Sequence, residues 1–314
     1  PDWSRGLGDV YKRQVLGVFL VNVLRKIKRD AEKKANLLSN LIQEKSPPAA
    51  VKSLSNSKHL NLGVIGYGGR GAHLVRAAGF ATKGWTDTAS ENAQKNKLNK
   101  QFETFMTQED LNCSLVGVCD LFDNNAELGI DASKNEVRPG GAPKGTAVRY
   151  RTHEEMLANE NIDGVIIATP DHWHSRITID AAKAGKHVYC EKGMTRTFDE
   201  AIDVYDAIKK TGIVFQLGHQ NRQVEANEKA RQIYEQNLLG PVNLVELTTN
   251  RNSPWGAWYW GIHPDGNQKT IDWERFQMPS PNKLAWGDGK EALERFFRWS
   301  CLLYTSDAAD DTRS

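Results

Sequence analysis

The chain has 314 residues, enough for two domains of ordinary size, and carries 41 basic against 39 acidic side chains. That balance gives no electrostatic ground for a nucleic-acid or anionic-membrane partner, and 39% hydrophobic with 25% charged residues is a soluble globular profile. The four cysteines show no CxxC spacing, and Cys113, Cys119 and Cys190 sit in or beside apolar runs, which reads as buried free thiols in a reducing compartment rather than disulfides or metal ligands.

The two ends are expected to be foreign to the protein. Ser4–Gln14 (SRGLGDVYKRQ) and Cys301–Asp311 (CLLYTSDAADD) look unrelated, yet one DNA segment encodes both DVYKRQ and, on its reverse complement read one base along, CLLYTS. Both resemble translated sequencing adapters, so residues 1–14 and 301–314 are set aside from fold reasoning, and the natural segment is expected to be cut at both ends. Two ordinary terminal tails are the alternative.

Residues 15–58 read as a helix and a linker. The apolar run Val15–Leu24 is too short to span a bilayer. It is either an amphipathic helix or the remnant of a longer signal or anchor. The expected location is therefore the cytoplasm, with an exported or membrane-anchored form as the alternative. Pro47 and Pro48, among Ser, Lys and Asn, mark the linker.

From residue 59, short apolar runs alternate with helical stretches. Strands are expected at Leu60–Ile65, Leu115–Cys119, Gly164–Ala168, His187–Cys190 and Ile213–Leu217. GVIIA at 164–168 is apolar throughout, as a strand buried on both faces would be. Thr152 with Glu155 and Thr197 with Glu200 form capping boxes, and Ser175 can cap the helix after it. Gly185 and Gly212 sit where helices stop in the left-handed conformation. Residues 79–110 are polar and look like an insertion. The fold class is α/β, a doubly wound parallel sheet over 59–220, followed over 221–300 by the start of a truncated α+β domain with a helix at 224–236 and a strand at Val242–Thr249. Trp255, Trp258, Trp260, Trp273, Trp286 and Trp299 suggest aromatic-lined surfaces there.

The chemistry gathers at the carboxyl ends of these strands. Gly66-Tyr67-Gly68-Gly69-Arg70-Gly71 follows a strand and opens a helix, the context that makes GxGxxG a pyrophosphate-binding turn. Gly66 permits the tight turn, Gly68 admits the pyrophosphate to the backbone, and Gly71 lets helix and strand pack closely; the helix start offers free N–H groups. Gly69 and Arg70 lie at the same turn, and Arg70 either contacts phosphate or is solvated. Asp120 ends the second strand, where an acid accepts ribose hydroxyls and repels a 2′-phosphate; NAD is favoured over NADP, with a plain strand-end turn former as the alternative. His172, Trp173 and His174 leave the strand Gly164–Ala168 and suggest nicotinamide and substrate contacts; the two histidines lack a third metal ligand. Glu191 and Lys192 leave the next strand at the same edge. Beside a cationic nicotinamide ring a lysine is driven toward its neutral amine and can take a hydroxyl proton.

These segments, NLGVIGYGGRG, GVIIATPDHWH, AAKAGKHVYCEKGMT and FQLGHQNR, together resemble the Gfo/Idh/MocA oxidoreductase family over about Leu60 to Trp299. The resemblance implies a Rossmann domain followed by an α/β domain with an open sheet, a homo-oligomer at full length, and hydride exchange between a nicotinamide cofactor and a hydroxyl of a sugar or cyclitol-like small molecule. An NAD-dependent glycoside hydrolase of the same fold and a non-catalytic cofactor-binding module are the alternatives. The family's Glu-Lys-Pro motif falls on Glu191-Lys192-Gly193, making Lys192 the implied catalytic lysine, with glycine in place of proline. Thr169, Pro170 and His174 match the nicotinamide-side loop, and His219, Gln220 and Arg222 the segment after the last strand. Trp255, Trp258 and Trp260 border either the substrate or the core. The family's second catalytic group is expected beyond Ser300.

Overall fold

The computed structural model describes residues 59–137, 145–219, 224–246, 260–280 and 283–299, all within one compact unit, Ser55–Ser314. The adapter-like ends and the helix and linker expected at 15–58 lie outside the described residues.

Strands and helices alternate as β1 (Leu60–Ile65), α1 (Gly69–Ala77), α2 (Lys83–Lys95), α3 (Gln101–Thr107), β2 (Cys113–Cys119), α4 (Asp123–Ser133), β3 (Val148–Tyr150), α5 (His153–Leu157), β4 (Gly164–Ile167), α6 (His174–Lys183), β5 (His187–Glu191), α7 (Phe198–Thr211) and β6 (Phe215–Gly218). The six strands make one parallel sheet in the order β3-β2-β1-β4-β5-β6. The order reverses between β1 and β4, so a crevice opens at their carboxyl ends.

Strand alternation places neighbouring residues on opposite faces. Val64 and Val118 enter one apolar cluster with Val75, Phe80 and Ala126, while Ile65 and Cys119 enter another with Met156, Ile177 and Cys190. Both faces are therefore covered, which is why the strands read as continuous apolar runs. Each such Val or Ile contributes about 1.5–3 kcal/mol by burial. Among the described residues Cys113, Cys119 and Cys190 are buried, and burial pushes the Cys119 and Cys190 thiols up to about 12.

The punctuation is mostly as expected. Thr152 and Glu155 form the full capping box of α5, and Gly185 and Gly212 have φ of 72° and 69°. Two expectations change. The Thr197 hydroxyl caps α7, but the Glu200 carboxylate accepts the N–H of Arg196 rather than that of Thr197. Ser175 is no cap: a short 3-10 helix, Asp171–Trp173, runs straight into α6 and leaves Ser175 inside its first turn. The polar insertion is two helices, α2 and α3, held together by an edge-on contact of Trp85 with Phe105.

After β6 come α8 (Glu225–Glu235), α9 (Trp273–Phe276) and α10 (Lys290–Phe297). The strand expected at Val242–Thr249 is absent from its described residues, 242–246, which are exposed and irregular. A strand needs a neighbour for its N–H and C=O groups, and among the described residues none pairs with this segment. The stretch 260–299 instead packs on the end of β2. Asp123 N–H donates to Thr270 O (2.9 Å), Asp272 N–H donates to Leu121 O (2.9 Å), and Phe122 meets His263, Phe296 and Phe297 edge-on. Trp273, with Phe276, is core rather than surface. No helix among the described residues is long and apolar enough to cross a membrane.

Candidate cofactor and active site

The glycine turn has two different jobs for its glycines. Gly66 has φ of 89°, and a Cβ there would lie 2.8 Å from the Ala168 carbonyl and the Thr169 nitrogen. A Cβ on Gly71 would lie 2.0 Å from Gly66 O. These two are required by the fold itself. Gly68 and Gly69 are not: a Cβ on either would meet nothing within 4 Å. Open space thus faces the start of α1, whose N-cap residue, Gly68, provides no side-chain cap. Free N–H groups beside open space are what a pyrophosphate needs.

Asp120 stands at the carboxyl end of β2. Its Oδ2 accepts the N–H of Tyr67 in the glycine turn (2.6 Å), its Oδ1 that of Phe122 (2.8 Å), and Asn125 Nδ2 lies 3.5 Å from both. Burial pushes this carboxyl up to about 6, with the main-chain donors pulling the other way. Asp120 is therefore both the strand-end turn former and an acceptor with lone pairs to spare for ribose hydroxyls.

Arg70, half-buried at the glycine turn, is engaged by a carboxylate across the fold. Its Nε and Nη2 sit 2.7 and 2.6 Å from Glu191 Oε1, and the Glu191 side chain is 4% exposed. One ion pair thus joins the glycine turn to the lysine loop after β5. Lys192 itself is exposed at the crevice, and its peptide bond to Gly193 is cis.

The histidines are corrected. His174 is buried with both ring nitrogens on main-chain carbonyls, Nδ1 on Gly193 (2.8 Å) and Nε2 on Thr169 (2.7 Å). Burial lowers the His174 pKa, so the neutral ring donates its single N–H to one of these two carbonyls, and both nitrogens face main chain between the β4 loop and the lysine loop. His172 Nε2 and Trp173 Nε1 both donate to the carbonyl of Phe276 in α9, at 3.0 and 3.1 Å. Burial pushes His172 down to about 4, so the ring is neutral and anchored through Nε2, while its Nδ1 is buried without a hydrogen-bond partner. Thr169 and Pro170 lie where expected, and the Thr169 hydroxyl is buried without a hydrogen-bond partner. A nicotinamide carboxamide supplies such a partner. With the open space at Gly68, this means the residues fit the cofactor. Gln220, Arg222, Trp255 and Trp258 lie outside the described residues.

Two constellations escape sequence reasoning. The Arg70–Glu191 pair spans 121 positions. Beside Asp120, Asp123 Oδ1 accepts Arg149 Nη2 and Arg151 Nη1, the latter at 3.0 Å. Burial alone would raise the Asp123 carboxyl, but Arg149 and then Arg151 hold it below its usual range. The only hint is that Arg149 and Arg151, two apart in β3 and its end, share one face. His153, Glu154 and Asp180 also converge, but Arg275 bonds both His153 Nδ1 and Glu154, filling the centre with a cation.

The Gfo/Idh/MocA profile, described as an oxidoreductase family with an NAD-binding Rossmann fold, matches residues 60–219. Levoglucosan dehydrogenase of Pseudarthrobacter phenanthrenivorans is 38% identical over 105 residues, 32% of this chain and 27% of that protein. The 2,7-anhydro-N-acetylneuraminate hydratase of Escherichia coli is 27% identical over 131 residues, 42% of this chain and 32% of that one. Among solved structures, myo-inositol 2-dehydrogenase from Lactobacillus plantarum superposes with a TM-score of 0.42 at 25% identity, covering 58% of this chain and 43% of that one. The matched stretch spans less than half of each of these relatives. The order of the sheet, the glycine turn at its switch point and the profile match over half the sequence agree: the chain belongs to the Gfo/Idh/MocA oxidoreductase family.

Proposed function

We propose that the protein belonging to this chain is an NAD-dependent dehydrogenase acting on a secondary hydroxyl of a sugar or cyclitol, with Lys192 as its proton acceptor. The observation that supports it is the convergence at one crevice of the open glycine turn, the unpartnered Thr169 hydroxyl and the exposed Lys192, carried on the ends of β1, β4 and β5. Bound NAD supplies the hydride acceptor. The N–H groups at the start of α1 would hold its pyrophosphate, Asp120 would accept from the adenosine ribose, and Thr169 would offer its hydroxyl to the carboxamide. Lys192 Nζ takes the hydroxyl proton as the carbinol carbon loses hydride and becomes a carbonyl. The ion pair of Arg70 with Glu191 and the bonds of His174 hold the lysine loop in place. NAD is preferred to NADP because Asp120 repels a 2′-phosphate. The full-length protein is proposed to be a homo-oligomer.

The test is NADH formation by the full-length protein across a panel of sugars and cyclitols, with Lys192→Met alongside. The expected result is NADH in proportion to substrate consumed, and a loss of about a hundredfold or more in kcat for Lys192→Met with NAD binding retained. Cleavage of a nitrophenyl glycoside without net NADH would favour the redox-neutral reading, to which a hydratase relative lends some weight. NAD binding with no turnover on any substrate would leave a binding module.

A further inference from the structure

The carboxyl edge of β2 and β3 carries a charge arrangement that the reading above does not use. Cys119 pairs with Tyr150, so Asp120 and Arg151, the next residues, leave their strands side by side. Arg149 and Arg151 project from the same face, and both guanidiniums reach one carboxylate, that of Asp123 in the first turn of α4. Asp123 and Arg149 are largely buried, at 28% and 20% exposure, whereas Arg151 is 67% exposed. Arg149 Nε is buried without a hydrogen-bond partner, and the guanidinium meets Asp123 through Nη2. Two acids and two arginines thus stand together at the carboxyl end of β2, the edge at which the site proposed above would hold an adenosine ribose.

In such sites an acid accepts the 2′-hydroxyl and excludes a 2′-phosphate, while a free arginine nearby admits the phosphate by paired N–H donation. This chain has both kinds of residue, and the outcome depends on whether the arginines are free. We propose that Asp123 is a specificity-determining residue: by engaging Arg149 and Arg151 together it withholds them from a 2′-phosphate and keeps the site selective for the dinucleotide with a free 2′-hydroxyl. This rests on the dinucleotide site proposed above, and Asp120 alone does not produce it. Asp120 sets the repulsion, and Asp123 removes the attraction that would offset it.

The test is a pair of binding titrations, NAD and NADP against the whole chain, read by tryptophan fluorescence or calorimetry without any turnover. Asp123→Asn is expected to tighten NADP by about tenfold or more, as a charge-assisted contact to phosphate would, while NAD changes by less than about threefold. Asp123→Glu, which keeps the charge, should retain the preference for NAD. Asp123→Ser keeps a small polar residue at the helix start and serves if the asparagine variant unfolds. Adding Arg149→Gln and Arg151→Gln to Asp123→Asn should abolish the gain. An unchanged NAD/NADP ratio in both Asp123→Asn and Asp123→Ser, or a gain that survives loss of both arginines, overturns the proposal while leaving the dinucleotide site standing. Failure of the unaltered chain to bind either dinucleotide takes down the site and this proposal together.

Discussion

Removing Arg70 should destabilise the protein through what it leaves behind. Arg70→Met keeps much of the apolar stem but strips both donors from Glu191 Oε1, and the Glu191 side chain is only 4% exposed. Opposite charges about 4 Å apart attract by roughly 4 kcal/mol at an effective dielectric near 20. Breaking a buried pair by removing one partner costs about 3–5 kcal/mol, since the other charge stays desolvated. The Arg70 side chain is 33% exposed, so water can reach part of the vacated space, and about 2–3 kcal/mol is the expected loss. For a domain of this size that lowers Tm by about 5–10 °C. The companion Glu191→Gln leaves the guanidinium partly hydrated and should cost less. The double variant Arg70→Met/Glu191→Gln leaves no buried charge, and should recover at least about 1 kcal/mol over Arg70→Met alone. Urea unfolding of all four proteins closes the cycle. An Arg70→Met protein as stable as the parent, or a double variant no better than Arg70→Met, would refute the account of Arg70 as the partner of a buried carboxylate.

The glycines should separate stability from binding. Gly71→Ala places its Cβ 2.0 Å from Gly66 O and should destabilise by about 3 kcal/mol or more, seen as a large fall in Tm. Gly68→Ala meets nothing within 4 Å, so Tm should hold to within a few degrees while NAD binding, measured by titration, weakens at least tenfold or so. Asp120 should give a pH signature. Its carboxyl is raised from 3.8 to about 6 in the folded protein, so the folded state binds the proton more tightly than the unfolded chain. This contribution favours the folded state below the ordinary carboxylate range and is lost as pH rises through about 6. Asp120→Asn should therefore gain stability relative to the parent on going from pH 4 to pH 7 in urea titrations; a constant difference between the two would contradict the assignment. NAD, which needs the ionised carboxylate as acceptor, should bind the parent more tightly above pH 6 than below it.

The parts of the sheet legible in the sequence share a physical feature. β2 and β4 are buried on both faces, and β1 and β5 carry buried apolar residues along most of one face, so these runs stand out from their surroundings. β3 does not: Val148–Tyr150 is a three-residue edge strand with Val148 55% exposed, and its sequence, VRY, carries no burial signal. The helices after β3 and β5 were legible because their first turns carry Thr and Glu three apart, a local contact that needs no knowledge of the fold. The expected strand after Gly240-Pro241 failed for the complementary reason. Apolar residues at 242, 244 and 245 permit a strand, but ladder bonds come from a neighbour, and none is present among the described residues.

At the site, the glycine turn was legible in the sequence, and the partners of Arg70 and His174 were not. The glycine turn is a backbone device whose parts lie within six residues, so spacing alone specifies it. A side chain's role depends on what stands across the fold from it, and that was invisible. Arg70 was expected to meet phosphate or water and instead meets Glu191; His174 was expected at the cofactor and instead spends both nitrogens on Thr169 and Gly193. Yet both corrections place the residue at the same edge and give it a task there. A lysine on a loop moves unless the loop is held, and Lys192 is exposed, with no burial to hold it. Glu191 and Gly193, its two neighbours in sequence, are the points where Arg70 and His174 attach. Those two residues were misassigned as ligands because positioning residues crowd the same strand ends as the groups they position.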